Sequence, residues 1–181
     1  MNILMLCLGV LLSFPAFARQ SISLTPINFQ VNSTHVLSKF EEAVLNPEGI
    51  LRRYKPTGVR ATNKRVAGNE ISFVATKTVL VISKSVYIHG ILESRDAGNG
   101  CYNLNMRFET SDRLVTDNVE QLQARICVKE DSNSKLSGQV RAQILTGNRY
   151  SRTLGPMAVN LIKDQVSPIL NALTEEIKAM R

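Results

Sequence analysis

The sequence predicts an α+β domain: one strand, two short helices, an antiparallel meander giving about six to seven strands in all, and a long amphipathic C-terminal helix. Three observations carry this expectation. Apolar residues recur every second position across most of 59–144, at helical spacing across 36–54, and at helical spacing again from 155 onward. A period of two marks strands with one buried face, and a period near 3.6 marks amphipathic helices.

The chain has 181 residues, 22 basic and 15 acidic side chains, three Cys, no Trp and 44% apolar residues. These values exclude a disordered chain, a collagen and a multidomain machine. Residues 1–18 carry no charge; 3–12 form an apolar core and Ala16-Phe17-Ala18 supplies a small-x-small cleavage pattern. The apolar stretch is shorter than the roughly 20 residues a spanning helix needs. The segment is therefore expected to be an export signal, although it lacks Lys or Arg before the apolar core. That leaves 19–181 as a single domain, periplasmic or secreted. Cys7 departs with the signal, and Leu4-Met5-Leu6 lacks the small residue beside the Cys that lipoprotein signals carry, so a soluble protein is expected.

Ile22, Leu24, Ile27, Phe29 and Val31 alternate with polar residues, with a phase shift at Thr25-Pro26, and suit an edge strand that tolerates proline. A helix follows, capped by Ser33 or Thr34, with Val36, Leu37, Phe40 and Val44 on one face until Asn46-Pro47 stops it. Residues 47–54 form a second helix with Asn46 as its cap. A weak strand is expected at 58–66, a turn at Ala67-Gly68-Asn69, and a strand at 71–82 with apolar residues on both faces. Residues 86–93 continue the sheet to the reversal Ala97-Gly98-Asn99-Gly100, where Gly and Asn accept positive φ.

The next two strands alternate most regularly. Tyr102, Leu104, Met106 and Phe108 face inward and Asn103, Asn105, Arg107 and Glu109 outward; after the polar loop 111–118, Leu122, Ala124, Ile126 and Val128 face inward. Cys101 and Cys127 share the outward parity. The hairpin centres near residue 114, midway between them, so they face each other at about 4.5–5.5 Å between Cα atoms, within disulfide range. The alternative is two free buried thiols, and the matched register favours a bridge contributing about 3 kcal/mol. A turn at 131–134 leads to a last strand with Val140, Ala142 and Ile144 inward, ended or bulged by Gly147-Asn148. Gly155-Pro156 opens a helical segment whose stripe is Ile162, Val166, Ile169, Leu173, Ile177 and Met180. Pro168 would orphan the Asp164 carbonyl at a cost of roughly 3 kcal/mol, so either a kink lies there or Ser167-Pro168 starts a new helix.

This order of elements, with Pro and Gly stops between the helices and a long final helix, resembles the helix-grip fold of the START, Bet v 1 and polyketide-cyclase-like superfamily. The resemblance covers nearly all of 19–181 and rests on no short motif. It implies a curved sheet wrapped around the last helix with a cavity between them, in proteins that mostly bind lipids, sterols or other apolar small molecules and include some enzymes. The residues expected to line such a cavity are Phe73, Tyr102, Leu104, Met106, Phe108, Ile126, Ile144, Ile162, Val166 and Ile169, all of which also suit a plain core.

Reactive constellations are sparse. His35 and His89 belong to no HxxH, CxxC or mixed ligand cluster, so no metal or other cofactor is expected. No GxSxG, Walker loop or GxGxxG occurs. His89 shares a strand face with Tyr87 and Ile91 and suits a rim histidine better than a general base, and the adjacent pairs Glu41-Glu42 and Glu175-Glu176 suit solvated helix faces. Charge placement is more informative. Between Glu48 and Glu70 there is no acid, while Arg52, Arg53, Lys55, Arg60, Lys64 and Arg65 supply six positive charges, most of the net +7. On a helix grip these would flank the cavity mouth and suit an anion, a lipid headgroup or an anionic membrane surface. Tyr54 is the only aromatic among them, which argues against nucleic acid. The leading expectation is thus an exported, monomeric, non-enzymatic carrier of a lipid or other apolar small molecule. The rival is an envelope interaction module docking an acidic partner through the basic segment; a cyclase or hydrolase using His89 and Tyr87 is the third.

Overall fold

The computed structural model describes residues 19–79, 82–109, 116–147, 150 and 154–181. The export segment 1–18 lies outside the described residues. The elements are β1 (Ser21–Ser23), β2 (Ile27–Asn32), α1 (Val36–Leu45), α2 (Glu48–Arg53), β3 (Arg60–Ala67), β4 (Glu70–Val79), β5 (Ile82–Asp96), β6 (Cys101–Phe108), β7 (Gln121–Ser132), β8 (Lys135–Leu145), α3 (Leu154–Lys163) and α4 (Val166–Ala179). One antiparallel 8-stranded sheet runs β1-β8-β7-β6-β5-β4-β3, with β2 also on β8. The meander, the opening strand broken at Thr25-Pro26 and the two short helices match the expected α+β order. Both halves of the broken strand pair with β8, Ile22 opposite Ile144 and Phe29 opposite Gly138.

Several boundaries differ, each for a local reason. The expected strand at 71–82 is two strands: β4 ends at Val79 and pairs with β5 from Ile82, so the chain reverses within an apolar run that lacks Gly, Pro, Asn or Asp. Neither Ser33 nor Thr34 caps α1. His35 takes the N-cap position at φ 51 with no side-chain cap bond, and Lys39 donates to both hydroxyls instead. Pro47, not Asn46, is the N-cap of α2. β3 carries a bulge between Thr62 and Arg65, where Asn63 adopts φ 55, a conformation Asn tolerates better than most residues.

The hairpin register is the expected one. Gly98, Asn99 and Gly100 all have positive φ. Cys101 stands opposite Cys127, and the two form a disulfide with Cα atoms 4.0 Å apart.

The helices cover the concave face. Phe40 of α1 is fully buried, lies edge-on to Tyr102 with centroids 5.4 Å apart and stacks near Phe29. Val31, Val36, Val44 and Leu136 close this end of the core. Leu170, Leu173 and Ile177 of α4 are buried against it. The C-terminal stripe forms two helices rather than one kinked helix. α3 ends at Lys163, α4 begins at Val166, and Pro168 falls in the first turn of α4, where its missing N–H costs least. The Asp164 carbonyl accepts a bond from the Thr57 hydroxyl at 3.2 Å.

Candidate functional site

Between the concave sheet face and α2, α3 and α4 lies an apolar cavity of about 110 Å³. Strand parity explains its walls. Ile71, Phe73 and Ala75 of β4, Ile88, Gly90 and Leu92 of β5, Leu104, Met106 and Phe108 of β6, Leu122, Ala124 and Ile126 of β7, and Val140 and Ala142 of β8 point into it. The helices contribute Ile50, Leu51, Leu161, Ile162, Val166, Ile169 and Leu170, and the α2–β3 connection contributes Pro56 and Val59.

Of the residues expected to line a cavity, Phe73, Leu104, Met106, Phe108, Ile126, Ile162, Val166 and Ile169 do so. Tyr102 and Ile144 do not. Tyr102 packs on Phe40 and donates its hydroxyl to Glu41 Oε1 at 2.9 Å, and Ile144 is fully buried near the other end of β8, between its strand partners Ile22 and Leu122. The alternation that put Tyr102 and Ile144 on the inner face does not say which parts of that face are filled.

The polar side chains among the described lining residues are those of Tyr54 and Gln165. Gln165 sits at the break between α3 and α4 and is buried. Its Oε1 accepts from the Tyr54 hydroxyl (2.9 Å) and the Thr57 backbone N–H (3.0 Å). Its Nε2 donates to the Thr57 carbonyl (3.0 Å) and the Leu161 carbonyl (2.8 Å). One amide therefore satisfies a carbonyl released by the helix break and ties the α3–α4 junction to the α2–β3 connection. Burial pushes the Tyr54 phenol well above its usual range. Sequence reasoning missed this hub; Gln165 three residues before Pro168, at the expected helix break, was the available signal.

The basic segment is divided by its local contacts. Arg52 pairs with Glu48 one helical turn away, and Arg53 Nε meets Glu176 Oε2 of α4. Gly49 makes room for that carboxylate, since a Cβ there would lie 2.2 Å from Glu176 Oε1. The β3 bulge turns Lys64 back onto the end of α2, where Nζ donates to the Arg52 and Tyr54 carbonyls and lies 5.9 Å from the Tyr54 ring centre. Burial first, then the neighbouring Lys55 ammonium, lowers the Lys64 pKa. Lys55, Arg60 and Arg65 are exposed and form no ion pair among the described residues. Lys55 and Arg60 adjoin Pro56 and Val59 at the cavity wall. Glu41 and Glu176 are not simply solvated, as they engage Tyr102 and Arg53.

Tyr87 and His89 have the parity opposite to Ile88 and Gly90, and so face away from the cavity. Tyr87 is 48% exposed, and His89 Nε2 lies 3.3 Å from Glu70 Oε2 on the outer face. They cannot act on a molecule held between sheet and helices.

Among the described residues no group of three or more His, Cys, Asp or Glu is placed to hold a metal ion, and no helix is long and apolar enough to cross a membrane. No family model matches the chain, and no curated protein matches it. Solved structures do. A conserved protein from Geobacillus kaustophilus aligns over 87% of this chain and 95% of its own at 10% identity, with a TM-score of 0.54. The Zhui aromatase/cyclase from Streptomyces sp. R1128 aligns over 87% and 94% at 10% identity and a TM-score of 0.49. A START superfamily protein from Mycobacterium smegmatis aligns over 84% and 95% at 9% identity and a TM-score of 0.48. At these identities the likeness is one of fold alone. With the antiparallel meander closing on a C-terminal helix, the fold is the helix-grip fold.

Proposed function

We propose that this chain is an exported, non-enzymatic binding protein for an apolar small molecule or lipid, held between the sheet and the C-terminal helices with any acidic end toward Lys55 and Arg60. The observation that carries the reading is the apolar cavity beside those exposed cations. Its volume of about 110 Å³ lies below the ~300–1,000 Å³ of most ligand pockets and near the ~150 Å³ of apolar cavities that stay dry and accept benzene. It suits one ring or a short stretch of chain. A longer acyl chain enters by displacing α3 about its junction with α4, each buried CH₂ contributing about 0.8 kcal/mol. The uncharged segment 1–18 and the disulfide support export.

The small volume also favours a second reading, an envelope interaction module that docks an acidic partner through Lys55, Arg60 and Arg65. Two one-ring probes separate them: toluene, and its analogue bearing a sulfonate, toluene-4-sulfonate. The carrier reading expects both to bind, both to weaken in Ala75→Leu, and only the sulfonate to weaken in Lys55→Gln/Arg60→Gln. Binding of neither would leave the interaction module.

A further inference from the structure

The outer face of the sheet carries a second concentration of charge that the linear sequence disperses. Arg95 stands opposite Asn103, Asn103 opposite Arg125, and Arg125 opposite Arg141, so one transverse row across β5 to β8 holds three guanidinium groups. Like charges directly opposed across an antiparallel ladder repel. Among the described residues none of the three forms an ion pair: Glu93, the acid one row away, is engaged by Arg107 at 3.4 Å. Arg141 Nε donates to Gln139 Oε1 at 2.9 Å, which fixes its plane and leaves its terminal nitrogens outward. A cleft lies over Arg125 and Arg141, flanked by Asn103, Asn105, Gln123 and Gln143. At this cleft Asn105 Oδ1 is buried with no donor.

We infer that this cleft binds a phosphate ester. Two guanidinium forks on adjacent strands match the geometry and charge of a phosphate, and its negative charge would remove the repulsion between Arg125 and Arg141. The site lies on the face opposite the cavity and stands independently of the carrier reading.

The test uses the full folded chain with sn-glycerol 3-phosphate at ionic strength matched by chloride, and with phosphatidylglycerol vesicles against phosphatidylcholine. Glycerol 3-phosphate should raise Tm, and Arg125→Gln and Arg141→Gln should each weaken its binding at least tenfold by calorimetric titration. In chloride alone both variants should melt no lower than the wild type, because each removes one of two opposed cations. Binding of the soluble ester alone assigns a free ligand. Binding of phosphatidylglycerol vesicles as well, lost in the same variants, assigns a headgroup. Equal Tm in ester and chloride overturns the inference, as does an unchanged affinity in Arg125→Gln/Arg141→Gln. Vesicle binding that survives these variants but is lost in Lys55→Gln/Arg60→Gln overturns it too.

Discussion

Replacing Gln165 with Met keeps the length of the side chain and removes all four of its hydrogen bonds. The Tyr54 hydroxyl is then left buried without an acceptor, since its bond to Gln165 lies in the buried interior. An unsatisfied buried donor costs about 1–3 kcal/mol. Thr57 is exposed and Leu161 half-buried, so water takes over their three groups at a loss of only about 0.5 kcal/mol each. The total is about 3 kcal/mol, or a Tm lower by roughly 6–12 °C at 2–4 °C per kcal/mol for a chain of this size. Tyr54→Phe alone should cost about 1 kcal/mol, and Gln165→Met/Tyr54→Phe should be less destabilised than the sum of the single changes by at least about 1 kcal/mol. Urea unfolding of the four proteins measures this. A Gln165→Met loss below about 1 kcal/mol, or additive effects, would refute the claim that this amide holds the α3–α4 junction.

Three further outcomes follow from named contacts. Tyr102 is pushed up to about 12 from 10.0 by burial first, then by its bond to Glu41 and the nearby Glu41 and Asp96 carboxylates. The phenol stays protonated in the folded chain after it has ionised in the unfolded one, so its contribution is complete below pH 10.0 and declines as pH rises toward about 12; Tyr102→Phe should flatten that decline in denaturant midpoints, and parallel curves would contradict the assignment. Reduction, or Cys127→Ser, opens a loop with a sequence separation of 26 and should cost about 3.5 kcal/mol on the chain-entropy estimate; an unchanged Tm under reducing conditions would contradict the bridge. Ala75→Leu projects into the cavity and should change stability by less than about 1 kcal/mol, because the added methyl groups enter existing space instead of forcing overpacking; a loss above about 2 kcal/mol by chemical denaturation would mean the space is not there.

Where residues of one kind repeat with a clean period, the sequence was legible. Cys101, Tyr102, Leu104, Met106 and Ile126 lie where alternation put them, and the disulfide follows from the midpoint of one hairpin. The end of β4 at Val79 was not legible, because the β-branched run 78–82 carries no Gly, Pro, Asn or Asp to mark a boundary. The cap of α1 was missed for a different reason: His35, in the left-handed region, takes the N-cap position, and the Val36 N–H donates to the Asn133 carbonyl from the far end of β7–β8. At the site, periodicity assigned the apolar lining but not its extent, since Tyr102 and Ile144 share parity with the cavity wall while Phe40 of α1 packs on Tyr102 and Ile144 is fully buried between Ile22 and Leu122. The basic segment was visible as composition. Which of its cations turn back onto carbonyls or onto Glu176 depends on the bulge at Asn63 and on the packing of α2 against α4. The arginine row on the outer face was likewise invisible, because Arg95, Arg125 and Arg141 meet only through the register of four strands.

The central claim is that the space between sheet and helices holds an apolar molecule. Native mass spectrometry of the full chain recovered from its own cells tests it most directly. The folded protein should carry one apolar small molecule, released on denaturation and diminished in Ala75→Leu. Recovery of the bare protein alone, with the same spectrum in Ala75→Leu, would contradict it.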